Sequence, residues 1–487
     1  MKLILKLSPE ITIKSRFVRL SFSRSLVQNI RIVLKQHNYL VFLTRYWDYI
    51  ELQIKDNNFF LGVVNLLINI PGISRIWLVE EYLFASIHDI GLKTISVNYN
   101  KLVGKAFCVR VKRHGEHIFT SQDIECYIGA FIIKNIRGTR VNLKNPEITV
   151  FLEINKNRFF LIIERYQGIG GFPLGTQGNV LSLLSGGFDS AVSSYMLMRR
   201  GCKVNYCFFN FGDSLHVVAI KKIAYSLWTQ FGSSHKVLFF VVNFLPLVNE
   251  IIQKIDIRNV MIVLKRMMLR ISASIAVRHN MQALITGESV GQVSSQTLIN
   301  LHLIDIASDV LVLRPLISYD KEQIISIARK IGVEKIVDSV PEYCGFFSNH
   351  PTIAGDRFKI ELQEKKINYL VFDEIFTQIQ VFNIKDILSY SKDDLLDIEI
   401  TSKVGCEEIV LDIRREEEQE NNPLDLVNIK IQKLPFYKLA SQFGNLDANK
   451  FYLLYCDHGI MSRIQANYLY EQGFRNVKIY RPIRMIK

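Results

Sequence analysis

The hexapeptide Ser185-Gly186-Gly187-Phe188-Asp189-Ser190 stands between an expected strand, residues 180–184, and an expected helix, residues 191–200. Adjacent glycines let backbone N–H groups close on an anion, and the start of a helix supplies positive potential. Ser185 and Ser190 add hydroxyl donors. There is no GxxxxGK[ST], so this is not a Walker-type loop. A plain Gly-Ser turn is the alternative, and placement after a strand at the head of an α/β region argues against it. Leu183 and Leu184 close the strand beside the loop. Thr286-Gly287-Glu288-Ser289 ends a later expected strand, where Gly287 would let an adenine or ribose approach the backbone. Gln296 follows and would cap a nucleotide. Lys265 and Arg266 interrupt the apolar helix sequence VLKRMML; they would reach a phosphate or else snorkel to the surface. Lys321 opens a helix after Asp320 and would stabilise charge on a phosphate or on an acceptor. Residue type alone leaves each of these open to a structural role.

The elements around these residues alternate. Strands at 180–184, 203–210, 236–243, 283–286 and 310–314 are interleaved with helices at 191–200, 217–231 and 257–279. That order predicts a doubly wound parallel sheet, with ligands at the carboxyl ends of its strands. Upstream, the pattern predicts a strand at 3–7, a helix at 17–36 and a strand at 39–45. The helix carries Arg19, Arg24, Arg31 and Lys35 beside Phe17, Leu20, Leu26 and Ile30, an amphipathic arrangement whose basic face is either solvated or phosphate-contacting. A strand at 106–112, a helix at 121–136 with Ser121 as N-cap, and a hairpin of 148–153 with 159–164 come next. The glycine-dense run 168–178 marks a boundary. From about residue 402 a small α/β unit has strands at 409–413 and 451–455, with Cys456 and a helix following; the acidic run Glu416–Glu420 reads as a solvated helix start.

The 487 residues are 49% hydrophobic and 22% charged, enough to bury several cores and too apolar for a disordered chain. Sixty Lys and Arg against 46 Asp and Glu leave a net charge of +14. This favours a polyanionic partner, although an AT-rich genome would raise Lys throughout. No apolar run reaches about 18 residues and no leader pattern is present, so a cytoplasmic chain with no membrane span is expected. Seven cysteines without a pairing pattern suit a reducing compartment. Cys108, Cys126, Cys202 and Cys207 read as core residues, and Cys406 has no visible partner.

The motif SGGFDS resembles the PP-loop of the N-type ATP pyrophosphatases. FCVRVKRHGEHIFTSQDIECYIGAFI with VNLKNPEITVFLEI resembles a THUMP domain, an RNA-binding module. VLDIRREEE followed by FYLLYCDHGIMS resembles a rhodanese domain. Their order, over essentially the whole chain, is similar to the long form of the tRNA 4-thiouridine synthetase (tRNA sulfurtransferase) family. The resemblance implies an α/β multidomain chain: a ferredoxin-like α+β piece at 1–60, THUMP at 61–165, a doubly wound PP-loop domain at 175–395 and rhodanese at 404–482.

The resemblance further implies that ATP, with Mg2+, adenylates O4 of uridine 8 in tRNA, and that a persulfide on Cys456, loaded by a cysteine desulfurase, supplies the sulfur. Cys344, in PEYCGFFS, matches the cysteine that closes a transient disulfide with Cys456, which a cellular reductant must then open. The same persulfide would feed a sulfur-carrier protein of thiazole and thiamine synthesis. Leu183, Leu184, Lys265, Gly287 and Gln296 match nucleotide positions; Asp189 and Lys321 match catalytic ones. The loop 456–462 ends at an expected helix start, where converging backbone N–H groups would stabilise an anionic sulfur. Asp457 and Met461 stand where thiosulfate-handling rhodaneses often carry basic residues, so protein-delivered sulfur fits better. Two rival readings are a PP-loop amidating enzyme, which needs neither cysteine, and a tRNA-binding protein with decayed catalysis, against which the intact motifs argue.

Overall fold

In the strand Lys2–Leu7 (β1), Leu3, Leu5 and Leu7 turn to one face and are buried, while Lys2 and Lys6 turn to the other, the period-two pattern of a sheet with two unlike faces. The computed structural model describes residues 1–211, 214–338, 351–389, 398–405, 407–414, 416–426, 429–457 and 459–482, and forms two compact units. Cys344 and Cys406 lie outside the described residues.

The first unit is Met1–Thr176 with Arg199–Gly201. Its further strands are β2 (Val41–Arg45), β3 (Tyr49–Ile54), β4 (Ile73–Leu83), β5 (Ala106–His114), β6 (Arg140–Val141), β7 (Ile148–Asn155) and β8 (Arg158–Gln167). All eight join one sheet in the order β2-β3-β1-β4-β8-β7-β5-β6. The boundary expected near residue 60 therefore falls inside a continuous hydrogen-bonded sheet, since β4 pairs with β1 on one side and β8 on the other. The helix Arg16–Gln36 buries Leu26, Ile30 and Leu34 with the β1 leucines. The helices Ile87–Leu102 and Ser121–Asn135 bury Ile90, Ile124 and Ile128 against Phe107, Val109 and Leu152.

Three sequence expectations change here. The N-cap of the last helix is Thr120 rather than Ser121: its hydroxyl accepts the Asp123 N–H at 3.1 Å, and Asp123 accepts the Thr120 N–H at 2.8 Å, a reciprocal box that fixes the start one residue earlier. Cys126 is exposed, because it stands off the stripe set by Ile124, Ile128 and Ile132. Phe17 is 83% exposed, outside the apolar face of its helix.

The second unit is Gln177–Met198 and the chain from Cys202 onward. Strands β9 (Asn179–Leu183), β10 (Lys203–Asn210), β11 (Leu238–Asn243), β12 (Ala283–Ile285), β13 (Leu311–Leu313) and β14 (Gln380–Asn383) lie in the order β13-β12-β9-β10-β11-β14. All pairs are parallel except β11 with β14. From β9 the chain winds outward to β10 and β11, then returns to the other side of β9 for β12 and β13. The crevice at the carboxyl end of β9 is thus a topological switch point. The helix expected at 257–279 spans Val260–Arg278, and a separate helix, Leu245–Lys254, precedes it. A second, all-parallel sheet holds β15 (Ile400–Thr401), β16 (Glu408–Asp412), β17 (Ile431–Lys433), β18 (Phe451–Tyr455) and β19 (Val477–Tyr480), ordered β15-β19-β18-β16-β17.

Arg266 neither reaches a phosphate nor snorkels. It is 2% exposed, forms a fork with the Glu364 carboxylate and donates to the Leu303 carbonyl, while Arg270 donates to the same carboxylate at 2.7 Å. Glu364→Ala strands a buried guanidinium. The expected cost is about 3–5 kcal/mol, read as a lower urea midpoint in equilibrium unfolding.

Candidate active site

Two centres in the second unit carry groups able to do chemistry. At the first, β9 ends at Leu183 and the buried Leu184 donates its N–H to the Cys207 carbonyl at 2.9 Å, tying the strand end to β10. The loop then turns through Gly186 and Gly187 into the helix Phe188–Arg199. Ser190 is 4% exposed; its hydroxyl accepts the Ser185 N–H at 3.0 Å and lies 3.2 Å from the carbonyls of Ser185 and Gly187. This serine braces the loop from inside instead of facing outward as a donor. Ser185 is exposed, and its hydroxyl accepts the Gly187 N–H at 3.4 Å.

Asp189, in the first turn, has both carboxylate oxygens engaged. Lys321 Nζ donates to Oδ1 and Gln292 Nε2 to Oδ2, each at 2.9 Å. Lys321 is the first residue of the helix Lys321–Lys330, which Asp320 caps, and its ammonium stands 5.7 Å from the Phe188 ring centroid. Two residues singled out separately in the sequence thus meet, and Gln292, not anticipated, completes the group. The only signal for it was its place in the same post-strand run that holds Gln296.

Gly287 has a reason other than room for a base. A Cβ there would lie 2.6 Å from the Asp189 carbonyl carbon and 2.7 Å from the Ser190 nitrogen. The bare Cα lets the end of β12 press on the phosphate loop. Its neighbour Glu288, buried, accepts from Lys265 Nζ and from Arg314 Nε, each at 2.9 Å, and from the Thr286 hydroxyl at 3.1 Å. Burial pushes this carboxyl up, but Lys265 and Arg314 outweigh it and hold it below the usual glutamate range. Lys265 is therefore fixed at the crevice by an ion pair, and Arg314, at the end of β13, is a further cation the sequence reading missed. Gln296 is 8% exposed, and its Oε1 is buried with no hydrogen-bond partner among the described residues. A buried orphan acceptor fits a ligand that supplies a donor.

The second centre is built on β18. Cys456 follows the strand directly and is 9% exposed; the Ser462 N–H points at its Sγ at 3.3 Å, and the Ser462 hydroxyl lies 3.5 Å away. Ser462 is in the first turn of the helix Ile460–Glu471, so the sulfur sits over a helix start. Asp457 does not stand as a bare negative charge. The Arg414 Nη1 reaches its two oxygens at 3.1 and 3.3 Å, and the Tyr455 hydroxyl donates to Oδ1 at 3.0 Å. Arg414, 2% exposed along its side chain, also forms a bidentate pair with Asp412 at 2.7 and 2.9 Å. The Asp412 bonds raise its pKa further, against an opposing burial effect, so it stays cationic. VLDIRREEE held both Asp412 and Arg414, but nothing local linked them to Asp457.

Among the described residues there is no group of three or more His, Cys, Asp or Glu side chains that could hold a metal ion, and no helix is long and apolar enough to cross a membrane.

The second unit thus holds a glycine–serine loop at the switch point of one parallel sheet and a cysteine at the strand–helix junction of another, the arrangement of a two-centre α/β enzyme. Models of known families match in the same order: THUMP domain at residues 84–164, Thiamine biosynthesis protein (ThiI) at 175–369, and rhodanese-like domain at 397–481. A tRNA sulfurtransferase of Sodalis glossinidius is 52% identical over 483 residues, 99% of this chain and 100% of that one. One of Escherichia coli (strain K12 / DH10B) is 50% identical over 482 residues, with the same coverage. A crystal structure of a 4-thiouridine synthetase–RNA complex with bound ATP superposes with a TM-score of 0.68 at 26% identity, covering 78% of this chain and 99% of that one. The chain belongs to the tRNA sulfurtransferase family.

Burial and the bond to Asp457 push the Tyr455 hydroxyl up from 10.0 to about 12. A group whose pKa is raised on folding contributes stability fully below its unfolded pKa and loses it as pH rises through the folded one. The thermal midpoint is therefore expected to fall between pH 10 and about 12, and Tyr455→Phe to flatten that fall, in melts recorded against pH.

Proposed function

We propose that the protein transfers sulfur to uridine 8 of tRNA, giving 4-thiouridine, in two coupled halves. At the PP-loop, uracil O4 attacks the α-phosphorus of ATP, pyrophosphate leaves, and a poor leaving oxygen becomes an AMP ester. The Gly186-Gly187 turn and the helix start suit the phosphates, Lys321 suits the charge that develops, and Lys265 and Gln296 suit the nucleotide. A magnesium ion arriving with ATP would be held mainly by phosphate oxygens, with Asp189 as the carboxylate at the loop.

At the other centre Cys456 carries a persulfide. Either its outer sulfur attacks C4 and expels AMP, after which the Cys344 thiolate attacks Cys456 Sγ and frees the thiolated base, or Cys344 first releases that sulfur as hydrosulfide, which attacks C4. Both routes end in a Cys344–Cys456 disulfide, which a two-electron thiol reductant reopens. The Ser462 N–H over Sγ supports an anionic sulfur there. A cysteine desulfurase is the proposed donor, and a sulfur-carrier protein for thiazole synthesis the second acceptor, in keeping with the family model matched at 175–369. The ferredoxin-like piece at 1–60 and THUMP at 61–165 would grip the tRNA acceptor region through shape and phosphates, a role the exposed Arg24, Arg31 and Lys35 support.

The observation that carries this reading is the occurrence of both centres in one chain, an Asp189–Lys321 pair at a phosphate loop and a cysteine sulfur facing a helix start. Purified protein given ATP, Mg2+, a persulfide source and unmodified tRNA should form 4-thiouridine, read by absorbance and nucleoside mass spectrometry. If it leaves uridine 8 unmodified, the reading is wrong.

Cys456→Ser should abolish thiolation when no free sulfide is supplied. Gly287→Ala forces a methyl against the Asp189 backbone, so ATP-dependent thiolation should drop by more than about tenfold. Persulfide loading of Cys456 in that variant, followed by intact-protein mass, should match the wild type, since Gly287 belongs to the other centre.

A further inference from the structure

We infer that Gln292 is a positioning residue for Asp189, holding its carboxylate in place while Lys321 turns to charge on the substrate. The inference rests on the reading above that a nucleotide is used at the phosphate loop. Asp189 is clamped from three sides by one stretch of chain and one helix. Gly287 lies against its backbone, Gln292 Nε2 meets Oδ2 at 2.9 Å, and Lys321 Nζ meets Oδ1 at 2.9 Å. Lys321 has a long, flexible stem and is 43% exposed along its side chain, so it can exchange a carboxylate partner for a phosphate oxygen. Once it does, Asp189 Oδ1 has lost the lysine that positions it. A carboxylate held through one oxygen alone by a departed lysine would be free to rotate. Gln292 keeps the other oxygen.

The backbone that carries Gln292 is built to stay put. The Val290 N–H donates to the Ile317 carbonyl at 3.1 Å, the Ser289 hydroxyl to the Tyr319 carbonyl at 2.8 Å, and the Gly291 N–H to the Gln296 carbonyl at 2.9 Å. Gly291 takes φ +75°, which lets the chain turn back toward Asp189 at this point. The segment is thereby tied to the stretch that leads into Lys321 and to the residue proposed to cap the nucleotide. The Gln292 side chain itself is exposed, so its amide is placed by the loop and the Asp189 bond and contributes little to any core.

The test uses the full-length protein and three variants, Gln292→Ala, Gln292→Glu and Gln292→Lys, assayed for ATP-dependent 4-thiouridine formation with kcat and the KM for ATP separated. Removing the donor should lower kcat about tenfold with the KM for ATP within about twofold. Glutamate, which repels Asp189, should fall below alanine and recover part of the loss as salt is raised. Lysine, which restores a donor, should stand above alanine. Thermal melts identify any variant that is merely unfolded, and the order of the remaining variants still decides. Equal kcat in all folded variants, or an order indifferent to the charge at 292, overturns the inference while leaving the proposed reaction intact. An inactive wild type would instead remove the reaction on which it rests.

Discussion

The first centre depends on the backbone of β12 coming within van der Waals range of the backbone of the phosphate loop. A single missing Cβ, at Gly287, permits it. Because β12 and β9 are neighbouring parallel strands, their carboxyl ends emerge side by side at the switch point, and both must turn there. Contact at Gly287 sets how far apart those turns sit. The residues on either side of the contact then have fixed jobs. Asp189 faces Lys321 and Gln292, while Glu288 faces away toward the helix Val260–Arg278 and holds Lys265 and Arg314. A shift of this one contact would move both cation sets relative to the loop.

Much of this was legible from the chain alone, and the reason is locality. The strands β10 and β18 are bounded at their observed residues by short apolar runs ending in polar ones, whereas the helix expected at 191–200 spans Phe188–Arg199, because Phe188, Asp189 and Ser190 of the loop motif already form its first turn. The phosphate loop itself is a contiguous motif, so its place after a strand could be read without knowing the sheet order. What escaped was non-local. Gln292 reaches a carboxylate 103 positions away, Arg266 one 98 positions away, and Arg414 one 43 positions away. No periodicity encodes such pairs, since each is fixed only when strands from distant parts of the chain are laid side by side.

Misread residues follow the same logic. Arg266 and Lys265 are adjacent in an apolar helix and were given one fate, yet successive helical residues point about 100° apart. Lys265 turns to the crevice and Glu288; Arg266 turns inward to Glu364. Cys126 was assigned to the core by the apolar character of its neighbours, whereas the helix stripe excludes it by two positions. In both cases the composition of a window was used where the angle around the helix decides.

The two centres arrange their shared ion pairs in opposite ways. At the first, one buried carboxylate, Glu288, is shared between two cations, Lys265 and Arg314. At the second, one buried guanidinium, Arg414, is shared between two carboxylates, Asp412 and Asp457. Buried ionic trios of this kind add little net stability, because desolvation offsets most of the attraction, but they fix side chains in one geometry. At the first, Arg314 also donates to Asp305 at 3.0 Å, so two cations and two carboxylates form a balanced set beside the loop. At the second, Arg414 and the Tyr455 hydroxyl engage Asp457, and the Ser462 backbone N–H faces the Cys456 sulfur.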